Sequence, residues 1–233
     1  MMRMGPGGAG AELIHADGPV KAMEIQEELR QRRTIKKTTD TGKIRHVAGA
    51  DAAYAGDRIH AAVTVLTFPG LEVVEKTCTV GRAPFPYIPG LLSFREGPAI
   101  LDAFSHLTAI PGLIVLNGHG IAHPRRFGIA CHVGFILGIP SVGIARRLLT
   151  GTAAVPGTGR GCTAAVFDGD EVIGMAVRTV EDKKPVFVSA GYGVDLGQAV
   201  EMALKTTTGH RITEPVWHAD QLSRRCREEH AGT

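Results

Sequence analysis

The chain has 233 residues, of which 44% are hydrophobic and 21% charged, enough for one globular domain with a sizeable core. Twenty-six Lys and Arg against 23 Asp and Glu leave a net charge of +3, too small to argue for a polyanionic partner by itself. No apolar run approaches the roughly 18–20 residues that span a bilayer, which excludes a transmembrane helix and points to a soluble, cytoplasmic protein.

The first stretch, to about Pro19, is small-residue and glycine-rich and lacks the apolar core of a signal peptide. It reads as a disordered tail, with residues 20–233 as a single domain. Ala22, Ile25 and Leu29 lie at helical spacing and predict an amphipathic helix over Val20–Arg33. The basic run Arg30–Lys37 reads as a solvated helix end and loop. Three strands follow, His46–Tyr54, Ile59–Phe68 and Leu71–Val80, the last two separated by Pro69-Gly70; this is an antiparallel meander. Beyond a proline-rich loop, Ile100, Leu101, Phe104 and Leu107 share one face of a helix over Ser93–Leu107. A buried-type strand, Leu113–Leu116, ends at Asn117. A helix is expected to start at Pro124 and to stop at Gly138, followed by a strand over Ser141–Ala145. Cys162–Ser189 holds three more short strands, and helices from Asp195 and Pro215 close the chain. Strands that first form a meander and then alternate with helices predict an α/β fold with a mixed sheet flanked by helices.

Four cysteines, Cys78, Cys131, Cys162 and Cys226, are widely scattered with no Cys-x-x-Cys pair. They read as reduced thiols rather than as zinc ligands, with disulfides left open.

Asp51 interrupts an apolar strand, where a carboxylate is costly unless it meets solvent, a partner or a cation. Glu96 has a structural reading as the return half of a capping box with Ser93. Asp220 alone would read as a solvated helix residue. Two unusual segments flank these positions. In Pro84-Phe85-Pro86-Tyr87-Ile88-Pro89-Gly90-Leu91, three prolines stiffen an extended loop around Tyr87 and Ile88, a tip suited to entering a base stack. In Asn117-Gly118-His119-Gly120-Ile121-Ala122-His123-Pro124-Arg125-Arg126, a strand end and an expected helix start gather amides, imidazoles and guanidinium groups that suit a phosphate.

These two segments, with Gly138-Ile139-Pro140-Ser141-Val142-Gly143-Ile144-Ala145, resemble the endonuclease V family in order and approximate spacing. The resemblance extends more weakly from Ala22 to Asp220. It implies an RNase H-like fold and Mg²⁺-dependent cleavage, with Mn²⁺ as the alternative ion, at the second phosphodiester 3′ to deoxyinosine. The implied partner is DNA carrying deaminated bases, with inosine RNA as a further substrate and no obligate protein partner. By resemblance, Asp51 is a metal ligand and Glu96 the catalytic glutamate, while Asp220 completes the acidic set. Tyr87 corresponds to a wedge, with Ile88 beside it. Gly90 and Leu91 fall in the base-pocket loop, and His123 and Arg146 belong to the recognition surface.

Asn117 breaks the pattern, because the family carries Asp before Gly-His-Gly or Gly-Gln-Gly. An amide oxygen can still ligate a hard cation but brings no charge. A second departure is Arg146 in place of the usual Lys, a change of donor geometry. The alternative reading is therefore a protein that binds inosine-containing nucleic acid with reduced or absent cleavage. A nucleotide-binding module is disfavoured, because neither a Walker pattern nor a complete Gly-x-Gly-x-x-Gly follows a strand.

Overall fold

The computed structural model describes residues 11–32 and 39–230. Its strands are β1 (His46–Ala55), β2 (Arg58–Thr67), β3 (Val73–Arg82), β4 (Leu113–Asn117), β5 (Ser141–Ala145), β6 (Thr152–Ala153), β7 (Thr163–Asp168), β8 (Glu171–Val177) and β9 (Val186–Ala190). They form one mixed sheet in the order β3-β2-β1-β4-β5-β9-β8-β7-β6. The meander β1-β2-β3 is antiparallel, and β1, β4 and β5 run parallel. The helices are α1 (Pro19–Arg32), α2 (Leu92–Ser105), α3 (Ile129–Leu137), α4 (Leu196–Lys205) and α5 (Glu214–Glu229). The expected α/β architecture, a mixed sheet with flanking helices, is therefore observed.

Both faces of the central strands are covered, so β1 and β2 are apolar on alternate residues in both directions. Ala48, Ala50, Ala61, Val63 and Val65 pack with Ile100 and Ala103 of α2 and Val133 of α3. Val47, Leu66, Val115 and Val142 pack on the other side with Val216 of α5 and Met202 of α4. A third cluster joins Ala22, Ile25 and Leu29 of α1 to Phe85, Leu91, Phe94 and Phe127. It seats the proline-rich loop on the domain.

Gly49 brings α5 down onto β1. A Cβ at this position would collide with the Pro215 backbone, and Thr64 Oγ1 donates to the Pro215 carbonyl at 2.9 Å. Because Asp51 follows Gly49 by two residues, it points to the same, α5-facing side of the sheet.

Three expectations change, and one falls outside the described residues. Residues 1–10 of the expected tail lie outside the described residues, but Ala11–Ile14 form a 3₁₀ turn with Ile14 buried against Gly97 of α2. The helix expected from Pro124 begins at Ile129, since Arg126 adopts φ +53° and the chain turns there first. The Gly138 stop is as expected, with φ +65°. Cys78 and Cys226 are joined as a disulfide rather than standing as separate thiols. Finally, residues 33–38, most of the expected basic loop, lie outside the described residues. Among the described residues, no helix is long and apolar enough to cross a membrane.

Candidate active site and nucleic-acid cleft

The acidic residues converge from three elements. Asp51 of β1 is 6% exposed and Glu96 of α2 8%, so both carboxyls sit largely out of water. Burial pushes the Asp51 carboxyl up to about 7, and neighbouring Asp220 of α5 adds to the rise. Burial likewise pushes Glu96 up to about 8, with repulsion from Asp51 as the next cause. Both carboxyls are held toward the neutral form for want of positive charge beside them. Asp220 has a partner in Arg224, whose Nε donates to its Oδ1 at 3.0 Å.

Asn117 ends β4, beside β1 in the parallel part of the sheet. Its side-chain Nδ2 donates to Asp51 Oδ1 at 2.9 Å. An Asp at this position would place a second carboxylate where that donor stands. The amide thus does part of what a cation would do, since its hydrogen bond favours the ionised form of Asp51.

Glu96 does not cap its helix. The N-cap is Leu91 with no side-chain cap bond, and the Ser93 hydroxyl is buried without a partner. Glu96 Oε1 instead accepts from the Tyr54 hydroxyl at 3.0 Å, and the Arg95 guanidinium lies 4.5 Å from the centre of the Tyr54 ring. Strand alternation puts Tyr54 on the α2 side of β1, opposite to Asp51.

The proline-rich loop is held by one carbonyl. Gly90, at φ +83°, offers its oxygen to three donors: His123 Nε2 at 2.8 Å, Arg125 Nη2 at 2.9 Å and Gln26 Nε2 at 3.1 Å. The Arg125 amide donates to His123 Nδ1, which fixes the ring as the Nε2–H tautomer. Burial holds His123 down at about 4, so it stays neutral. His123 therefore positions the loop. Gln26, which the sequence did not single out, shares this task with Arg125, whose guanidinium was expected at a phosphate; Arg125 Nε donates to Gln26 Oε1 at 2.7 Å.

Tyr87, at the loop tip, is 70% exposed. It lines a cleft of about 240 Å³ with Ile88, Gly90, Asn117, His119 and Arg146. Leu91 does not face this cleft: it is buried with Phe94 and Phe127 in the core under the loop. The expected phosphate-binding helix start is also absent at Pro124. Where α3 does begin, the Ala130 amide is taken by the His119 carbonyl. The exposed cations at the cleft are Arg146 and Arg147, just after β5.

An endonuclease V family model matches residues 26–221. The endonuclease V of Dictyoglomus turgidum is 40% identical over 216 residues, covering 93% of this chain and 94% of the relative. The crystal structure of endonuclease V from Streptomyces avermitilis superposes with a TM-score of 0.87 at 41% identity, covering 92% of this chain and 95% of that one. Ciona intestinalis endonuclease V, solved with a 23-mer DNA containing an inosine followed by a ribo-adenosine, gives a TM-score of 0.81 at 25% identity, covering 90% and 97%. Matched over most of its length in both sequence and fold, with its buried carboxyls beside an open cleft, this chain belongs to the endonuclease V family of nucleases.

Proposed function

We propose that the chain binds inosine-containing DNA along the Tyr87–Arg146 cleft, and that it cleaves the second phosphodiester 3′ to the lesion slowly with Mg²⁺. The observation that carries this reading is the 2.9 Å hydrogen bond from Asn117 to Asp51 within a cluster of buried carboxyls. Support for the substrate comes from the Ciona relative's complex with inosine-containing DNA.

The donor set fits a hard divalent ion. Asp51, Asp220, Glu96 and the amide oxygen of Asn117 are all oxygen donors, and the raised carboxyls are those whose charge a cation would settle. When bound, Mg²⁺ or Mn²⁺ supplies charge stabilisation at the phosphate and a more acidic water. The protein's own residues do the rest. Glu96, oriented by the Tyr54 hydroxyl, takes the proton from the attacking water once a cation's charge beside it favours its ionised form. The Gly90 clamp sets Tyr87 to fill the gap left when the base leaves the stack, a step costing about a few kcal/mol and least for a poorly paired base. Arg146 and Arg147 contact phosphates and fix register.

Asn117 costs this centre a unit of negative charge and turns a donor toward Asp51. Single-turnover cleavage of inosine DNA should therefore rise at least tenfold in Asn117→Asp with Mg²⁺, while binding to the same DNA stays within a few-fold. Equal cleavage rates in the two proteins would rule out this role for Asn117. If neither protein cuts but both bind inosine DNA selectively, the chain is a lesion-binding protein. The same incubations with inosine RNA and with Mn²⁺ assign substrate and ion.

A further inference from the structure

The basic side of the cleft does not end at Arg147. β1, β4 and β5 run parallel, so Asp51, Asn117 and Arg146 come to the same end of the sheet. β9 is antiparallel to β5, with Ala145 opposite Phe187, so the chain entering β9 starts at that end too. The residues just ahead of β9 are Lys183, Lys184 and Pro185. Carboxyls, cleft arginines and this lysine pair therefore follow one another along the row of strands β1-β4-β5-β9.

Buried or half-buried arginines fix the backbone of the lysine turn. Arg178, 7% exposed, donates to the carbonyls of Pro156, Gly157 and Lys183. Arg211 donates from Nε to the Lys184 carbonyl at 2.7 Å, and from Nη2 to the Pro185 carbonyl at 2.7 Å and the Arg146 carbonyl at 3.3 Å. One guanidinium thus ties the chain leaving β5 to the chain entering β9. From the cleft side, His119 Nε2 donates to the Arg147 carbonyl at 3.0 Å.

The backbone is held, but the charged ends are left to solvent. Arg146, Arg147, Lys183 and Lys184 are all exposed, and among the described residues no carboxylate pairs with any of them. Lys21, Arg30, Lys43, Arg82 and Lys205, elsewhere on the surface, each have an acidic partner. Two carboxyls precede the lysines in the turn. Asp182 takes the left-handed φ of +54° that the reversal needs, a conformation Asp tolerates better than most residues. Neither Asp182 nor Glu181 pairs with a lysine of the turn. Burial, and after it repulsion from Arg146, lowers the Arg211 guanidinium from its ordinary value, as expected where cations gather without a balancing carboxylate.

We propose that Lys183 and Lys184, continuing from Arg146 and Arg147, form a basic ledge that binds the phosphate backbone of duplex DNA some four nucleotides from the scissile bond. Three strand spacings of about 4.8 Å separate β1 from β9, about 14 Å in all. One strand of a duplex carries a phosphate about every 3.4 Å of its axis, so that span is about four phosphates. The ledge rests on the nucleic-acid reading of the cleft and adds to it a contact that fixes register without reading a base.

Salt dependence counts such contacts, because each neutralised phosphate adds about 0.9 to the slope of log affinity against log salt. The full chain is titrated by anisotropy, in fixed Mg²⁺ and before strands are cut, with a duplex of about 30 base pairs that carries or lacks a central inosine. Lys183→Ala/Lys184→Ala should flatten the slope by about 1–2 and weaken binding to both duplexes by the same factor, about threefold or more. The inosine-to-adenosine affinity ratio should not move. Lys183→Arg/Lys184→Arg should keep the parent slope, as should Lys76→Ala on the far edge strand β3. Trimming the engaged flank to about two base pairs should erase the difference between parent and alanine variant, since the ledge then has no phosphate to hold. An unchanged slope in the alanine variant, or a difference that survives trimming of both flanks, overturns the ledge and leaves the inosine reading intact. Equal affinity of the parent for the two duplexes, with the slope change present, upholds the ledge and overturns lesion selectivity. A parent chain that binds neither duplex overturns both.

Discussion

Tyr87 gives up most of its burial to stand in solvent, on a loop whose other aromatic, Phe85, is packed in the core. A ring held out this way adds little to folding, so its removal should be felt in substrate discrimination. Tyr87→Ala should lower the affinity ratio of inosine to adenosine DNA about tenfold, with a melting temperature within a degree or two of the parent. The measurement is competition binding on matched duplexes, and an unchanged ratio would deny Tyr87 the wedge role. Glu96 gives a second residue-scale outcome through pH. Its folded value, about 8, lies above the ordinary carboxyl value of 4.5, so the folded state holds a proton that the unfolded state has released. Stability is then highest toward the acidic side of this window and is lost as pH rises through 8; Asp51, at about 7, contributes with the same sign. The depressed histidines, His60, His119, His123, His132 and His218, oppose the trend only near and below the ordinary histidine range, where the unfolded chain takes up their protons. With chelator present, denaturant titrations from about pH 7.5 to 8.5 should show stability falling by at most about 1.4 kcal/mol per pH unit for each carboxyl. Glu96→Gln should reduce the slope, and a slope identical to that of the parent would remove Glu96 as its source.

Between elements, the closest approach that matters to the site is β1 against the start of α5. Gly49→Ala would put a methyl group into the Pro215 backbone, and neither partner has a flexible side chain to yield. The variant should lose about 3 kcal/mol of stability by overpacking and should lose cleavage as well, because lifting α5 carries Asp220 away from Asp51. Chemical denaturation and inosine-DNA cleavage measure the two effects; full activity at parental stability would mean that the helix docks without this contact. Element type was largely legible from the chain. Periodicity placed all five helices and the three-stranded meander, and Gly138 ended α3 where its left-handed conformation is now seen. What pattern alone misjudged was competition between local motifs and tertiary partners. Ser93 and Glu96 have capping-box spacing, but Tyr54, half-buried on β1, offered Glu96 a better bond. Pro124 is a fair first helical residue, but the Gly90 clamp draws His123 and Arg125 into a turn, which delays the helix to Ile129.

At the scale of the molecule, the three carboxyls and the clamp come from elements on the β1–β4 side of the sheet and from the last helix, while β6, β7 and β8 supply neither a member of that carboxyl set nor a clamp residue. The carboxyls Asp51, Glu96 and Asp220 and the loop around Tyr87 could be named from sequence because each sits in a distinctive motif. Gln26, Tyr54 and the clamp role of Arg125 could not, because each rests on a partner 35 or more residues away, a relation that only the fold creates. Gln26 has a practical consequence. It sits on α1, ahead of every strand, and binds both the Gly90 and Phe127 carbonyls. A fragment trimmed to begin at the first strand would keep all three carboxyls and the whole sheet, yet it would leave the tyrosine loop without its brace. The minimum working unit of this protein therefore starts upstream of the sheet, at a helix that contributes none of the three carboxyls.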